Sequence, residues 1–143
     1  MSILIDTNNI KKTITPDADC PCGSDSKYSD CCLPFHKYEK FPATAEQLMK
    51  SRFSAFELHF NDYLMKTWDE TTRPGNIEFT AGLHWNRLVI NGRKKGRKKD
   101  QEGWVTFVAY YNVGTEEGFL HEKSFFRRNE NGHWQYVDGE IKP

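Results

Sequence analysis

Four cysteines lie in one short segment of this 143-residue chain, at the spacing CxCx8CC. They are Cys20, Cys22, Cys31 and Cys32. Four thiolates on a short loop can close a tetrahedron around Zn²⁺, with Zn–S bonds of about 2.3 Å. Gly23 gives the chain the freedom to fold back between the two cysteine pairs. Because such a site has no open coordination position, the spacing predicts a structural zinc site.

Other uses of these thiols are less favoured. A disulfide within a CxC or vicinal pair is strained, and a reducing cytosol disfavours its persistence. No CxxC precedes a predicted helix, as a redox thiol would require. His36 is an alternative to Cys32 as the fourth ligand, because imidazole is an ordinary zinc donor. Since residues 20–36 have almost no apolar core of their own, metal binding should order them, and a chelator should loosen them without unfolding the rest.

A second cluster of charge lies near the middle of the chain, with six basic residues among the seven residues of 93–99. They are Arg93, Lys94, Lys95, Arg97, Lys98 and Lys99. Such a run can bind phosphates with salt-sensitive affinity, and aromatic residues on nearby strands can stack on bases. The alternative is a solvated loop that keeps the protein soluble, because short basic runs often match by chance. The whole chain has no net charge, so any such partner must be recognised locally.

Several polar and aromatic residues are candidates for lining an internal pocket. They are Tyr63, Trp68, His84, Trp85, His121 and Glu122. A histidine and a carboxylate that face one cavity can share acid and base roles. His121 and Glu122 are neighbours in a predicted strand, however, and should point to opposite faces. The sequence leaves enzymatic activity undecided and favours a binding protein.

The elements that position these residues differ between the two halves of the chain. Residues 1–18 are predicted to be an extended lead-in. Thr44 and Gln47 form a capping box, and apolar residues at helical spacing follow, so we predict a helix over residues 44–59. A second, short helix should begin at Asp62 and carry Tyr63 and Trp68.

The second half reads as antiparallel strands over residues 83–90, 104–111, 118–128 and 133–138, with a loop at 93–100. The alternation places Trp85 and Arg87 on the same face of the first strand. Residues 104–111 are apolar on both faces, which predicts a central strand covered on each side. Asn131 and Gly132 should supply the positive φ angles of a tight hairpin. Together the elements predict an α+β fold in which the sheet wraps the long helix.

Length and hydropathy set further limits. A chain of 143 residues and 16.7 kDa holds one domain with a small additional unit. No apolar run approaches the roughly 20 residues of a membrane span, and the N-terminal residues are too short for the apolar part of a signal peptide. We therefore expect a cytoplasmic protein with no membrane partner.

The cysteine segment, from Cys20-Pro-Cys-Gly-Ser through Tyr28 to Cys31-Cys32, resembles the SEC-C motif, which also occurs at the C-terminus of the SecA translocation ATPase. In that motif the four matching positions are zinc ligands, the last being Cys or His. The resemblance therefore favours Cys32 over His36. The motif of SecA contacts a chaperone and the ribosome, so the resemblance implies a docking role toward a protein or a ribonucleoprotein.

The remaining chain resembles the bacterial YchJ family, at residues 42–56, 63–68, 103–110 and 120–128. This resemblance implies an NTF2-like cone, with a curved antiparallel sheet around a long helix and a small N-terminal zinc knuckle. We place the lead-in at 1–18, the SEC-C motif at 19–37 and the NTF2-like domain at 42–143. Such cones often enclose a pocket, so binding or conversion of a small molecule is the alternative function. A dimer is left open.

Overall fold

The computed structural model describes residues 4–5 and 13–143 of the chain. The predicted lead-in, residues 1–18, therefore lies partly outside the described residues. In order, the elements are β1 (Leu4–Ile5), β2 (Thr13–Ile14), a 3₁₀ turn (Tyr28–Asp30), α1 (Leu33–His36), α2 (Ala45–Leu58), α3 (Asn61–Lys66), β3 (Leu83–Lys95), β4 (Glu102–Val113), β5 (Glu116–Arg128) and β6 (Trp134–Ile141). The strands β1 and β2 form a short antiparallel pair. The four long strands form one antiparallel sheet in the order β3-β4-β5-β6. The predicted α+β fold is thus confirmed.

The long helix α2 begins where its capping residues predict. The Thr44 hydroxyl accepts the Gln47 N–H at 3.1 Å, and the Gln47 side chain accepts the Ala43 N–H at 2.7 Å. These two bonds satisfy amide groups that the first helical turn leaves without partners. At the other end His59 adopts a left-handed conformation with φ 61°, which stops the helix.

The core lies between α2 and the concave face of the sheet. The inward residues of β4, which include Val105, Phe107 and Ala109, alternate with outward residues, as a strand with one buried face requires. Phe53 of α2 and Phe126 of β5 are buried with them. The sheet therefore wraps one face of the helix, as the resemblance to NTF2-like domains implies.

The prediction that β4 is covered on both sides is wrong. Its outward residues Trp104 and Val108 are only half-buried, and Tyr110 is 38% exposed. The apolar outward face of this strand is explained by aromatic cross-strand pairs on the sheet surface, because Trp104 lies opposite Phe125.

Strand β3 also departs from the prediction in two ways. A β-bulge between Trp85 and Arg87 shifts the register, so that Trp85 pairs with Tyr111 and Arg87 with Tyr110. The two residues consequently lie on opposite faces of the sheet. The strand also continues through Lys95, so the connection to β4 begins at Gly96 rather than at residue 93.

The turn between β5 and β6 has a positive φ angle at Gly132 alone, at 80°, and not at Asn131. The side chain of Asn129 accepts the N–H groups of Asn131 and His133 at 2.9 and 3.0 Å and closes a longer turn. The prediction that both Asn131 and Gly132 have positive φ angles is therefore wrong.

Candidate metal centre and cone cavity

The four cysteines converge at one point between the N-terminal segment and helix α2. The Sγ atoms of Cys20, Cys22, Cys31 and Cys32 all lie within 4.8 Å of one another. Cys22 and Cys31 are 3.5 Å apart at sulfur, and Cys31 and Cys32 are 3.9 Å apart. All four are free thiols, and only Cys31 is more than marginally exposed.

This geometry fits a four-thiolate metal site. A tetrahedron with Zn–S bonds of 2.3 Å has S···S edges of about 3.8 Å. The sulfur separations of 3.5 and 3.9 Å bracket that value. The turn that brings the cysteine pairs together uses Gly23, at φ 80°, where a side chain would strain the backbone.

The local electrostatics also require a cation if all four thiols are to ionise. Hydrogen bonding among the sulfurs, together with burial, raises the pKa of Cys20 and Cys32 above the ordinary thiol value. Sulfur hydrogen bonds lower the pKa of Cys22 and Cys31. The cluster alone therefore ionises in part, and a bound divalent ion would stabilise the remaining thiolates.

His36 lies outside the cysteine cluster, although it was the alternative fourth ligand. Its Nδ1 atom lies 2.5 Å from the Tyr28 hydroxyl, and its Nε2 atom lies 2.8 Å from the Ser51 carbonyl oxygen. Both ring nitrogens therefore have partners other than a metal. The ring joins the cysteine segment to α2 instead of completing the metal site.

The cysteine segment packs directly on α2. The Cys32 thiol faces the Lys50 carbonyl oxygen at 3.8 Å, and Tyr28 is fully buried. Cys20, Cys22, Cys32 and Tyr28 belong to the same core cluster as the apolar residues of the helix. The segment is thus an extension of the main core.

A separate cavity of about 270 Å³ lies between α2 and the concave side of the sheet. Of the predicted pocket residues, Trp68, Trp85 and Glu122 line it. Nine further lining residues were not predicted, and they include the polar Arg52 and Ser124. Arg52 lies on the apolar stripe of α2, between Met49 and Phe56, and that spacing was the signal available in the sequence.

The other predicted pocket residues lie elsewhere. Tyr63 is buried behind α2 and hydrogen-bonds the Ser51 hydroxyl at 2.7 Å. His121 pairs with Val108 on the outward face, whereas Glu122 pairs with Phe107 on the inward face. His84 lies 3.4 Å from the Glu57 carboxylate at the surface. The expectation that His121 and Glu122 point to opposite faces is therefore met.

The basic run 93–99 is distributed over the end of β3 and the following turn. Arg93 is paired with Glu46 of α2, and Arg97 lies 3.5 Å from the Asp100 carboxylate. The Lys94 ammonium lies 5.2 Å from the centre of the Trp104 ring. Lys95, Lys98 and Lys99 are exposed. Part of the positive charge is thus neutralised within the molecule.

The comparison with known proteins agrees with this architecture. Residues 44–139 match the model of the "YchJ, middle NTF2-like domain", and residues 18–34 match that of the "SEC-C motif". The chain belongs to the YchJ family. It is 43% identical over 128 residues to a UPF0225 protein of Sodalis glossinidius, covering 84% of this chain and 81% of the relative. A UPF0225 protein of Corynebacterium glutamicum is 41% identical over 122 residues, with coverage of 85% and 96%.

Two solved structures share the fold of this YchJ family member. One is the solution structure of a SEC-C motif containing protein from Rhodopseudomonas palustris, with a TM-score of 0.75, 30% identity and coverage of 87% and 98%. The other is the crystal structure of a SEC-C motif containing protein from Psychrobacter arcticus, with a TM-score of 0.70, 26% identity and coverage of 90% and 85%. Among the described residues, no helix is long and apolar enough to cross a membrane.

Proposed function

We propose that the protein binds one structural Zn²⁺ through Cys20, Cys22, Cys31 and Cys32, and that it acts as a cytoplasmic docking protein for single-stranded RNA. The convergence of four sulfurs within 4.8 Å carries the metal assignment. Four thiolates in tetrahedral arrangement favour zinc or iron over harder cations. The SEC-C match favours zinc.

The zinc would serve the fold rather than a reaction. Four cysteine ligands leave no position for water or substrate, which is the arrangement of structural zinc sites. The ion would hold residues 20–32 in the conformation that packs Tyr28 and Cys32 on α2. A metalloenzyme is therefore not part of this proposal.

The metal assignment is tested by elemental analysis for zinc and iron in protein purified without chelator or metal-affinity tag. We expect one zinc per chain, lost in Cys32→Ser and retained in His36→Ala. Ser24→Ala is the matched control for a contact at the site, because the Ser24 hydroxyl lies 3.0 Å from the Cys31 sulfur without being a ligand. Absence of metal, with fewer than four free thiols after denaturation, would replace zinc with a disulfide-forming role.

The outward face of β3, β4 and β5 supports RNA as the partner. It carries two aromatic pairs, Trp104 with Phe125 at 5.1 Å and Tyr110 with Phe119 at 6.2 Å between ring centres. Phe119 is 62% exposed. Exposed rings on a sheet provide stacking surfaces for unpaired bases.

Cations flank both aromatic pairs. The Arg87 guanidinium lies 5.4 Å from the Tyr110 ring, and the Lys94 ammonium lies 5.2 Å from the Trp104 ring. The exposed Lys98 and Lys99 follow in the turn beyond Lys94. This combination of rings and positive charges complements the bases and phosphates of a single strand. The acidic side chains of β6 lie at the sheet edge away from Arg87 and Lys94, although Asp138 pairs with Phe125.

Fluorescence anisotropy with labelled single-stranded RNA tests the docking proposal. We expect affinity that falls with salt, and a loss of about fivefold or more in Phe119→Ala, because base stacking on one ring contributes about 1–3 kcal/mol. Phe41→Ala is the matched control, since Phe41 is 53% exposed but stacks on His133 away from this face. Equal losses in both variants, or no binding at low salt, would reject RNA and leave a protein partner to be sought.

A further inference from the structure

The cone cavity contains an unusual charge. Arg52 is 2% exposed and lies on the wall that α2 contributes to the cavity. Its Nη1 atom donates to the Leu64 carbonyl oxygen at 2.9 Å and to the Thr67 hydroxyl at 2.7 Å. These two bonds use one end of the guanidinium only. Among the described residues, the Nε and Nη2 atoms of Arg52 have no hydrogen-bond acceptor.

The guanidinium lies among aromatic rings, and Glu122 stabilises its charge electrostatically without forming an ion pair. The guanidinium carbon lies 4.7 Å from the Tyr136 ring centre, 5.0 Å from that of Trp68 and 5.9 Å from that of Phe56. No carboxylate of the described residues lies within 4.0 Å of Arg52, whereas seven other arginine and lysine side chains of the described residues pair with Asp or Glu. Buried charges are normally paired, because removing them from water is costly.

A second donor in the cavity wall also lacks a partner. The indole Nε1 of Trp68 is buried and has no hydrogen-bond acceptor among the described residues. Trp68 lines the same cavity and stacks its ring under the Arg52 guanidinium. A buried donor without an acceptor is destabilising, and such sites call for an explanation.

We propose that the cone cavity binds a small monocarboxylate with an apolar body, held at its carboxylate by Arg52, with the Trp68 ring in the adjoining wall. The donors that Arg52 leaves unused are the guanidinium N–H groups that a carboxylate accepts. The remaining walls, which include Phe53, Trp85 and Phe107, are apolar and suit a hydrocarbon or aromatic body.

The acidic residue of the cavity does not replace the ligand. The Glu122 carboxylate accepts the Ser124 hydroxyl at 2.6 Å on the sheet side of the cavity. It therefore has a hydrogen-bond donor of its own, and it acts on the Arg52 charge at a longer range than an ion pair. The volume of about 270 Å³ lies near the lower limit of ligand pockets, so the ligand must be small.

The competing explanation is that Arg52 only joins α2 to α3 and to the residue that follows it, through Leu64 and Thr67. That role accounts for Nη1 but not for the other donors of the fork. The two explanations differ in whether the cavity distinguishes a carboxylate from a neutral molecule of the same shape.

The test is a titration of the full, metal-loaded chain with phenylacetate, benzoate and hexanoate, each against its matched primary amide. The readout is the set of indole N–H signals in ¹H–¹⁵N NMR spectra. We expect saturable shifts of the Trp68 signal with at least one acid, and affinity at least tenfold lower for its amide. The Trp134 indole donates to the Ala43 carbonyl oxygen at 3.1 Å outside the cavity, and its signal is the internal control.

Two variants keep the test independent of the fold. Ala109→Leu should fill the cavity from β4 and abolish binding while the other indole signals stay in place. Arg52→Lys keeps the charge but loses the fork, and should weaken acid binding at least tenfold. Trp68→Phe assigns the Trp68 signal. Equal affinity for acid and amide, no saturation by any acid, or unchanged binding in Ala109→Leu would overturn the proposal. None of these outcomes depends on RNA binding.

Discussion

Replacing Tyr28 by phenylalanine tests the connection between the cysteine segment and α2. Tyr28 is fully buried, and its hydroxyl lies 2.5 Å from His36 Nδ1. Because the Ser51 carbonyl oxygen can only accept, His36 must donate from Nε2 to it, and Nδ1 must then accept from the tyrosine. Burial lowers the pKa of His36 to about 4, so the ring is neutral at pH 7, as this arrangement requires.

The expected cost of Tyr28→Phe follows from the group that is left behind. Among the described residues, the substitution removes the only donor to His36 Nδ1, and a buried acceptor without a donor costs about 1–3 kcal/mol. For a chain of this length that corresponds to a melting temperature lower by roughly 3–12 °C. His36→Ala should cost about 3–5 kcal/mol, because it also leaves a cavity between the cysteine segment and α2.

Thermal and urea denaturation at fixed zinc concentration measure these losses. Tyr38→Phe is the matched control, because Tyr38 is 39% exposed and its hydroxyl donates to Asp62 at the surface. It should change stability by less than about 0.5 kcal/mol. Zinc stoichiometry should remain unchanged in the tyrosine variants. Wild-type stability in Tyr28→Phe would refute the hydrogen-bond chain, and loss of zinc from folded His36→Ala would return His36 to the ligand set.

Three further predictions concern single residues of the fold. Gly103→Ala should lower the free energy of unfolding by at least about 2 kcal/mol in urea denaturation, because the added Cβ would overlap the backbone of Gly96. Gly75→Ala is its control and should be near neutral, because a Cβ there meets no atom within 4 Å. Thr44→Ala should cost about 1 kcal/mol in the same measurement through loss of the α2 cap. Asp69→Asn should cost about 1–3 kcal/mol at neutral pH, because it breaks the paired bonds from Arg127 at 2.9 and 3.1 Å. Hydrogen bonds from Arg127 hold the pKa of Asp69 below its ordinary 3.8, so the ionised pair stabilises the fold above that pH. The stability difference between wild type and Asp69→Asn should therefore shrink as the pH falls below 3.8. A stability difference that does not change with pH would contradict the ion pair as its cause.

The parts of the molecule that local sequence determines were predictable. The start of α2 follows from Thr44 and Gln47, which lie three residues apart. The Thr44 hydroxyl accepts the Gln47 N–H, and the Gln47 side chain accepts the Ala43 N–H. The cysteine cluster follows from spacing alone, because ligands this close in sequence have little freedom to separate. The antiparallel sheet follows from consecutive strands joined by short turns.

The parts that depend on distant contacts were not predictable in the same way. The partners of His36 include Ser51, fifteen positions away on another helix. The bulge after Trp85 depends on pairing with β4. Because of it, Trp85 faces the cavity while Arg87 lies on the outward face of the sheet. The charge of Arg52 predicts a surface residue, and only the folded structure shows that three aromatic rings surround it.

The shared core changes what metal removal should do. The sequence predicts that residues 20–36 have almost no apolar core and that a chelator loosens them without unfolding the rest of the protein. In the structure Tyr28 and Cys32 pack in the same cluster as Leu48 and Phe53 of α2. If metal removal loosens the cysteine segment, part of the main core becomes exposed to water. The stability of the cysteine segment and that of the NTF2-like domain are therefore linked. Chelation should lower the melting temperature of the NTF2-like domain without abolishing its transition, and an unchanged transition would show that the contacts with α2 contribute nothing to its stability.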